Sequence, residues 1–165
     1  MSRVMKLNKN RMKTYAFWIF LSEAVGVISA LLTRGNMALY TEGIIQPTLS
    51  PPAVLFPIVW TVLYALMGIG SARVDLVDPS EEQKKALRLF LVQLAVNFFW
   101  SILFFNFRAF GLAFLWLLLL WVLIILMIRA FGKVDKPAAI MQIPYLLWVT
   151  FAGYLNFMVW VLNGM

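Results

Sequence analysis

Cysteine and histidine are both absent from this chain of 165 residues, and charged residues make up only 13% of it. Without thiol or imidazole groups, we expect no zinc site, no haem ligation by histidine and no Cys or His nucleophile or base. Paired carboxylates inside apolar stretches and glycine-rich phosphate loops are missing as well. The sequence therefore predicts no catalytic residues, no metal site and no resident cofactor.

The chain is unusually rich in apolar residues. Hydrophobic residues account for 63% of the sequence, and the mean hydropathy is +0.87. Soluble domains are roughly 45–50% apolar and about 25% charged, so this composition lies outside that class. Disorder is excluded for the same reason, because a disordered chain is poor in apolar residues and rich in charge.

Five apolar stretches follow one another along the sequence. They cover residues 15–33, 53–74, 87–107, 111–131 and 138–162. Each holds the roughly 20 residues that a helix needs to cross a bilayer, and each is continuously apolar and not alternating. We therefore predict an all-α membrane protein: a bundle of five transmembrane helices in one domain that covers residues 1–165.

The basic residues are distributed unevenly between the connecting segments. Of the 14 lysines and arginines, all but Arg34 and Arg108 lie before the first stretch, or in or within three residues of the loops that follow the second and fourth. Short cytoplasmic loops are rich in Lys and Arg, so this asymmetry predicts a cytoplasmic N terminus. A basic arm that binds nucleic acid is the alternative, but beside a membrane span the topological cause is much commoner. We expect no nucleic-acid partner.

Polar and aromatic side chains recur every three or four residues in three of the stretches. They are Trp60 and Tyr64; Gln93, Asn97, Trp100 and Ser101; and Tyr145, Trp148, Ala152 and Asn156. Residues at this spacing share one helix face, and in a membrane such a face either bonds to other helices or lines a ligand pocket. Two prolines within the stretches, Pro57 and Pro144, predict helix kinks that favour a cavity. An aromatic cavity of this kind suits a large, flat, hydrophobic ligand.

Local signals predict where two helices begin. Ser50 precedes Pro51 and Pro52, which predicts an N-cap followed by proline in the first turn. Residues 80–83, Ser-Glu-Glu-Gln, form a capping box that places the start of the third helix in the loop before its apolar part. Residues 34–50 are predicted to be a long loop that could cover the bundle.

Glu23 is the only acidic residue in the middle of a stretch. An intramembrane carboxylate can be a proton or cation site. Alternatively, a neighbouring helix or subunit can supply the polar partners of this carboxylate, since Ser22, Gly26 and Ala30 have the small-xxx-small spacing of close helix packing. Both interpretations stay open at this point.

Three segments resemble the signatures of one family. Residues 49–68, LSPPAVLFPIVWTVLYALMG, are similar to the second-helix signature of the tryptophan-rich sensory protein family (TspO/MBR). The mitochondrial members of this family are called translocator protein or peripheral-type benzodiazepine receptor. Residues 93–100, QLAVNFFW, and residues 144–148, PYLLW, are similar to the signatures of the third and fifth helices.

The resemblance implies a five-helix bundle in a bacterial cell membrane, usually a homodimer, with a pocket beneath the first long loop. Family members bind porphyrins such as protoporphyrin IX, and some bind cholesterol or synthetic isoquinoline and benzodiazepine ligands. Carried over by motif, the ligand-binding residues would be Pro51, Trp60, Tyr64, Gln93, Asn97, Trp100, Trp148 and Ala152, with Tyr40 from the loop. Trp60 and Trp148 would supply stacking surface and Asn97 a polar anchor.

The sequence also departs from the family pattern. Thr48 and Leu49 replace an aromatic pair, and Val54 stands where a tryptophan is common. Some bacterial members degrade porphyrin in light through tryptophans of the first loop and of the fifth helix, and the loop tryptophan is missing here. No Lys or Arg follows Tyr154, so specific cholesterol binding is not expected. The leading hypothesis is a tetrapyrrole-binding sensory receptor without enzymatic activity; light-dependent porphyrin degradation and transport of small hydrophobic molecules are the alternatives.

Overall fold

The computed structural model describes the backbone of residues 3–164 and the side chains of residues 10–37 and 42–164. The helices are α1 (Arg3–Gly43), α2 (Leu55–Asp75), α3 (Glu81–Ser101), α4 (Phe110–Val134), α5 (Lys136–Ile140) and α6 (Ile143–Asn163). A π-helical turn, Ile102–Asn106, continues α3. The described backbone contains no strand.

Five segments are long and apolar enough to cross a membrane, which confirms the predicted fold class. They are Asn10–Met37, Leu55–Asp75, Glu81–Asn106, Phe110–Val134 and Lys136–Asn163. The last segment combines α5 and α6. The protein is thus an integral membrane protein built as an all-α bundle with five spanning segments.

The first helix is longer than predicted. It continues through Gly35 and ends at Gly43, so the first part of the expected loop over residues 34–50 is helical. A glycine inside a helix costs only about 1 kcal/mol, and no proline occurs before Pro47 to stop the helix. The connection to α2 is therefore shorter than the sequence suggested.

Small residues let α1 and α2 approach closely. Ser22 is completely buried, and Gly26 lies against the ring of Tyr64. On α2, a Cβ atom added to Gly68 would lie 2.5 Å from the Cα atom of Ile19. The two backbones are thus nearly in contact, as the small-residue spacing around Ser22 predicted.

One end of the bundle holds the start of α1, residues 76–80 and the α4–α5 junction; we call it the basic end. Three connections fasten the helices there. Trp18 Nε1 donates to Asp75 Oδ2 at 2.9 Å, and Gln83 Nε2 donates to the carbonyl oxygen of Asp75 at 3.1 Å. Arg73 forms an ion pair with Asp135, with Nη2 3.1 Å from Oδ1. These bonds tie α1, α2, α3 and α5 together.

Asp135 has two partners at this end. Besides the ion pair, Asp135 Oδ2 accepts from the backbone N–H of Ala138 at 3.0 Å and so caps α5. The hydrogen bond from the Arg73 guanidinium, helped by this backbone bond, holds the pKa of the Asp135 carboxyl below its ordinary value of 3.8, against the opposing effect of burial. The charged form of Asp135 therefore stabilises the folded protein.

The two predicted helix starts have opposite outcomes. The capping box is confirmed, because Ser80 Oγ accepts from the backbone N–H of Gln83 at 3.1 Å and α3 begins at Glu81. The N-cap at Ser50 is wrong, since α2 begins only at Leu55. The backbone N–H of Ser50 instead bonds to the Pro47 carbonyl in a turn. Each proline disfavours helical geometry in the residue before it, so two in succession delay the helix.

Neither proline kinks the interior of a helix, which corrects that prediction. Pro57 is the third residue of α2 and Pro144 the second of α6, and a missing N–H is harmless in the first turn. The last span is instead interrupted between α5 and α6 at residues 141–142. Gln142 Nε2 donates there to the carbonyl oxygens of Leu66 at 3.2 Å and Ala138 at 3.3 Å. The interruption thus ties the last span to α2.

Candidate functional site

A cavity of about 860 Å³ lies at the end of the bundle opposite the basic end; we call this the cavity end. Pockets for small ligands typically measure about 300–1,000 Å³, so this one can hold a large organic molecule. The cavity is enclosed by α1, residues 46–53, α2, the end of α3 and α6. Its lining includes Gly26, Ala30, Thr33, Arg34, Gln46, Pro47, Ser50, Pro51, Phe56, Trp60, Tyr64, Trp100, Phe104, Phe105, Trp148, Ala152 and Asn156.

Seven aromatic residues line the cavity, and they come from α2, from α3 with its π-helical turn, and from α6. The rings of Trp60 and Tyr64 lie 5.5 Å apart on α2. Phe56 meets Trp148 of α6 edge to face at 5.8 Å, and Trp100 stacks on Phe104 at 5.4 Å. Such pairs stabilise one another by about 0.5–1.5 kcal/mol each and keep the rings in fixed orientations. The result is a rigid aromatic surface.

The indole of Trp148 separates the cavity from the outer surface of the bundle. A second concavity, of about 480 Å³, lies on the outside between α2 and α6 and shares Trp148 with the cavity; its other residues include Ile58, Val62, Leu147 and Phe151. Among the described residues, the buried Nε1 atom of Trp148 has no hydrogen-bond partner. A buried indole N–H normally finds an acceptor, so this donor is an exception within the described part of the chain.

Gln93 and Asn97 lie behind the cavity wall and not in its lining. Asn97 Oδ1 accepts from the Tyr64 hydroxyl at 3.5 Å, and Asn97 Nδ2 donates to the Tyr145 hydroxyl at 2.7 Å. That hydroxyl in turn donates to Gln93 Oε1 at 2.8 Å. The network links α2, α3 and α6 and fixes the ring of Tyr64 where it faces the cavity.

A second buried amide, that of Asn156, positions an aromatic side chain elsewhere in the cavity lining. Trp100 Nε1 donates to Asn156 Oδ1 at 3.1 Å, and Asn156 Nδ2 donates to the Phe110 carbonyl at 2.8 Å. Asn156 thereby orients the indole of Trp100, and it lines the cavity itself. Its place in the α6 stripe was visible in the sequence, but it was not among the predicted ligand-binding residues.

The structure thus brings together six of the nine predicted site residues. Pro51, Trp60, Tyr64, Trp100, Trp148 and Ala152 all line the cavity. The side chain of Tyr40 lies outside the described residues. The predicted site did not include the residues of α1 that line the cavity, nor Phe104 and Phe105 of the π-helical turn. The spacing of Gly26 and Ala30 was a signal for α1, but it indicated helix packing as readily as a cavity.

Few charges lie near this site. Arg34 is the only charged residue among the described residues that line the cavity. Glu23 is half-buried on α1, and neither of the two ion pairs in the described part of the chain includes it. The described residues contain no group of three His, Cys, Asp or Glu side chains that could hold a metal ion.

Comparison with known proteins agrees with this architecture. The model of the TspO/MBR family matches residues 18–161. The chain is 38% identical to the tryptophan-rich protein TspO of Chlorobaculum tepidum, over 91% of this chain and 96% of that protein. It is 35% identical to protein CrtK of Rhodobacter capsulatus, over 90% and 92%. It is 36% identical to the translocator protein of Bos taurus, over 82% and 81%. The chain belongs to the TspO/MBR family of membrane translocator and sensory proteins.

Proposed function

We propose that the protein is a membrane receptor that binds a tetrapyrrole such as protoporphyrin IX in the cavity. The observation that carries this proposal is the composition of the wall, in which three indoles and a phenol surround about 860 Å³. These are Trp60, Trp100, Trp148 and Tyr64. A tetrapyrrole is a flat, apolar, conjugated ring system, and aromatic side chains stack on such rings with little loss of conformational entropy.

One feature of α6 suits this ligand. Ala152 lines the cavity with a single methyl group, one turn after Trp148, and so leaves room beside the indole. Flat synthetic ligands of the isoquinoline or benzodiazepine type would compete for the same aromatic surface.

A fluorescence titration tests the proposal. Protoporphyrin IX added to the purified protein should quench tryptophan emission and saturate. In Trp148→Ala the quenching amplitude should fall and the Kd rise about tenfold, which corresponds to about 1.4 kcal/mol of lost contact. Trp121→Ala is the matched control, because Trp121 is exposed on α4 and bonds to Thr150 instead of lining the cavity. Equal losses in both variants would contradict the proposed site.

The orientation that we propose places the basic end in the cytoplasm of a bacterial cell. The support is the positive-inside distribution of Lys and Arg. Since the chain has no cysteine, one introduced thiol reports on its own position. With a reagent that does not cross membranes, Glu42→Cys should be labelled in intact cells and Lys85→Cys only after lysis. The reverse pattern would overturn this orientation.

The homodimer implied by the family resemblance belongs to the same proposal. Its test is the protein mass measured by light scattering after detergent is subtracted. A mass of two chains, each of 18.9 kDa, is expected at concentrations that saturate porphyrin binding. A mass of one chain that still binds porphyrin would contradict the dimer and leave the binding proposal standing.

A further inference from the structure

The one charged residue in the described lining of the cavity, Arg34, lies toward the outermost part of the cavity, which we call its mouth. Tyr64, Trp60 and Trp148 line the part that reaches toward the middle of the bundle, whereas Gln46 and Ser50 belong to the segment that crosses the cavity end. Arg34 lies eight residues beyond Gly26, the point on α1 that contacts Tyr64. At 1.5 Å per residue this places Arg34 about 12 Å further along the helix, near the mouth.

Arg34 has no ion-pair partner among the described residues. The two ion pairs of the described residues join Arg73 to Asp135 and Lys84 to Glu81. Arg34 is exposed and takes part in neither pair, although it lines the cavity. A guanidinium has a flat array of N–H donors that matches the two oxygens of a carboxylate. The cavity therefore combines an aromatic interior with one cation at its mouth.

We infer that Arg34 binds an acidic group on the rim of the ligand, so that the cavity selects flat apolar molecules that carry a carboxylate over their neutral esters. This inference rests on the proposed function and adds the ligand class to it. The macrocycle occupies the aromatic interior, while the carboxylate stays at the mouth, where it remains partly hydrated. An anion held entirely within the apolar interior would lose that hydration without a second charge to compensate for it.

The size of the effect follows from the exposure of Arg34. Exposed ion pairs contribute less than buried ones, and salt screens them over roughly 8–10 Å. We therefore expect the Arg34–carboxylate contact to change the Kd about fivefold at low salt, and less in 0.5 M NaCl. Arg34→Lys keeps the charge but not the planar donor array, so its Kd should lie between those of wild type and Arg34→Gln.

The test compares protoporphyrin IX with its dimethyl ester, which has the same macrocycle and no charge. Arg34→Gln should weaken binding of the diacid about fivefold and leave the Kd of the diester unchanged. Comparing the ratio of the two constants between proteins removes differences in how each ligand partitions into detergent. Arg108→Gln is the control, because Arg108 is the other arginine predicted on that side and does not line the cavity.

The possible outcomes separate the two proposals. Selective loss of diacid affinity in Arg34→Gln supports the inference. An equal change for both ligands, no change, or the same loss in Arg108→Gln would overturn it and leave porphyrin binding intact. Failure of the wild-type protein to bind either ligand would overturn both the binding proposal and the Arg34 assignment. Arg34 is exposed, so an unchanged Tm should show that the variant is folded.

Discussion

The two ends of the helical bundle use their polar residues in opposite ways. At the basic end, Trp18, Gln83 and Asp135 bond directly to neighbouring helices and draw them together. At the cavity end, the amides of Asn97 and Asn156 bond to Tyr64 and Trp100, two aromatic side chains that line the cavity. The comparison indicates that one end maintains the fold while the other holds a binding surface open. Substitutions at the two ends should therefore affect stability and binding separately.

The largest effect is expected where α1 and α2 touch. A Cβ on Gly68 would meet the backbone of Ile19 and Trp18, which cannot move without shifting a helix. Gly68→Ala should lower the free energy of unfolding by about 3 kcal/mol, at the upper range for overpacking. Thermal unfolding in detergent, followed by circular dichroism, measures this.

Gly35→Ala is the control for this substitution. Gly35 also lies within α1, but among the described residues a Cβ there meets no atom within 4 Å outside the adjoining helix backbone. Alanine should raise stability at this position, by up to about 1 kcal/mol, through its higher helix propensity. If both variants lost stability equally, close contact between the two backbones would not be what limits the fold.

A substitution at the cavity end should change binding without changing stability. Ala152→Leu adds three carbons to a side chain that lines the cavity, one turn after Trp148. The Kd for protoporphyrin IX should rise at least tenfold, or about 1.4 kcal/mol, while the Tm stays at or above that of wild type. Ala95→Leu, on the exposed face of α3, is the matched control for added volume. A fall in Tm with unchanged affinity would place Ala152 in the packed core instead.

The smallest expected effect concerns the ion pair at the basic end. The lowered pKa of Asp135 means that its contribution to stability is complete above its ordinary pKa of 3.8 and is lost as the pH falls through the lower folded-state value. Asp135→Asn keeps an oxygen that can cap α5 but removes the charge. The substitution should lower the free energy of unfolding by about 1 kcal/mol at pH 7 and by less at pH 2.

Thermal unfolding at the two pH values tests this expectation. Glu81→Gln is the control, because its bond to Lys84 is largely exposed and should contribute little at either pH. A constant deficit in Asp135→Asn at both pH values would show that the cap, and not the ion pair, is what the substitution weakens. Porphyrin affinity should remain that of wild type in both variants.

Much of the architecture behind this contrast between the two ends could be predicted from the sequence, because hydropathy and helical spacing are local properties. The five spans and the stripe that contains Trp148 and Ala152 follow from them directly. The position of Asn97 behind the cavity wall does not follow from hydropathy or spacing. A four-residue spacing places Asn97 on the inner face of α3, but only the location of α2 and α6 determines that Tyr64 and Tyr145 stand between it and the cavity.

Helix ends were harder to predict than helix faces. The apolar run extends on both sides of Pro57, so the sequence does not show that α2 begins only two residues before it. Pro57 was therefore predicted to kink the interior of the helix, although it lies in the first turn. The extension of α1 to Gly43 and the π-helical turn at Ile102–Asn106 are joined by a bond from Asn36 Nδ2 to Asn106 Oδ1 at 2.9 Å, a contact between segments distant in sequence. That turn brings Phe104 and Phe105 to the cavity, which explains why neither was among the predicted residues.

The most direct test of the central claim is an experimental structure of the protein with bound protoporphyrin IX. The account predicts the macrocycle inside the cavity end, against the indoles of Trp60 and Trp148, with a carboxylate at Arg34. The basic end should be unchanged from the ligand-free protein. A porphyrin bound only to the lipid-facing surface, with the cavity free of ligand, would contradict the account.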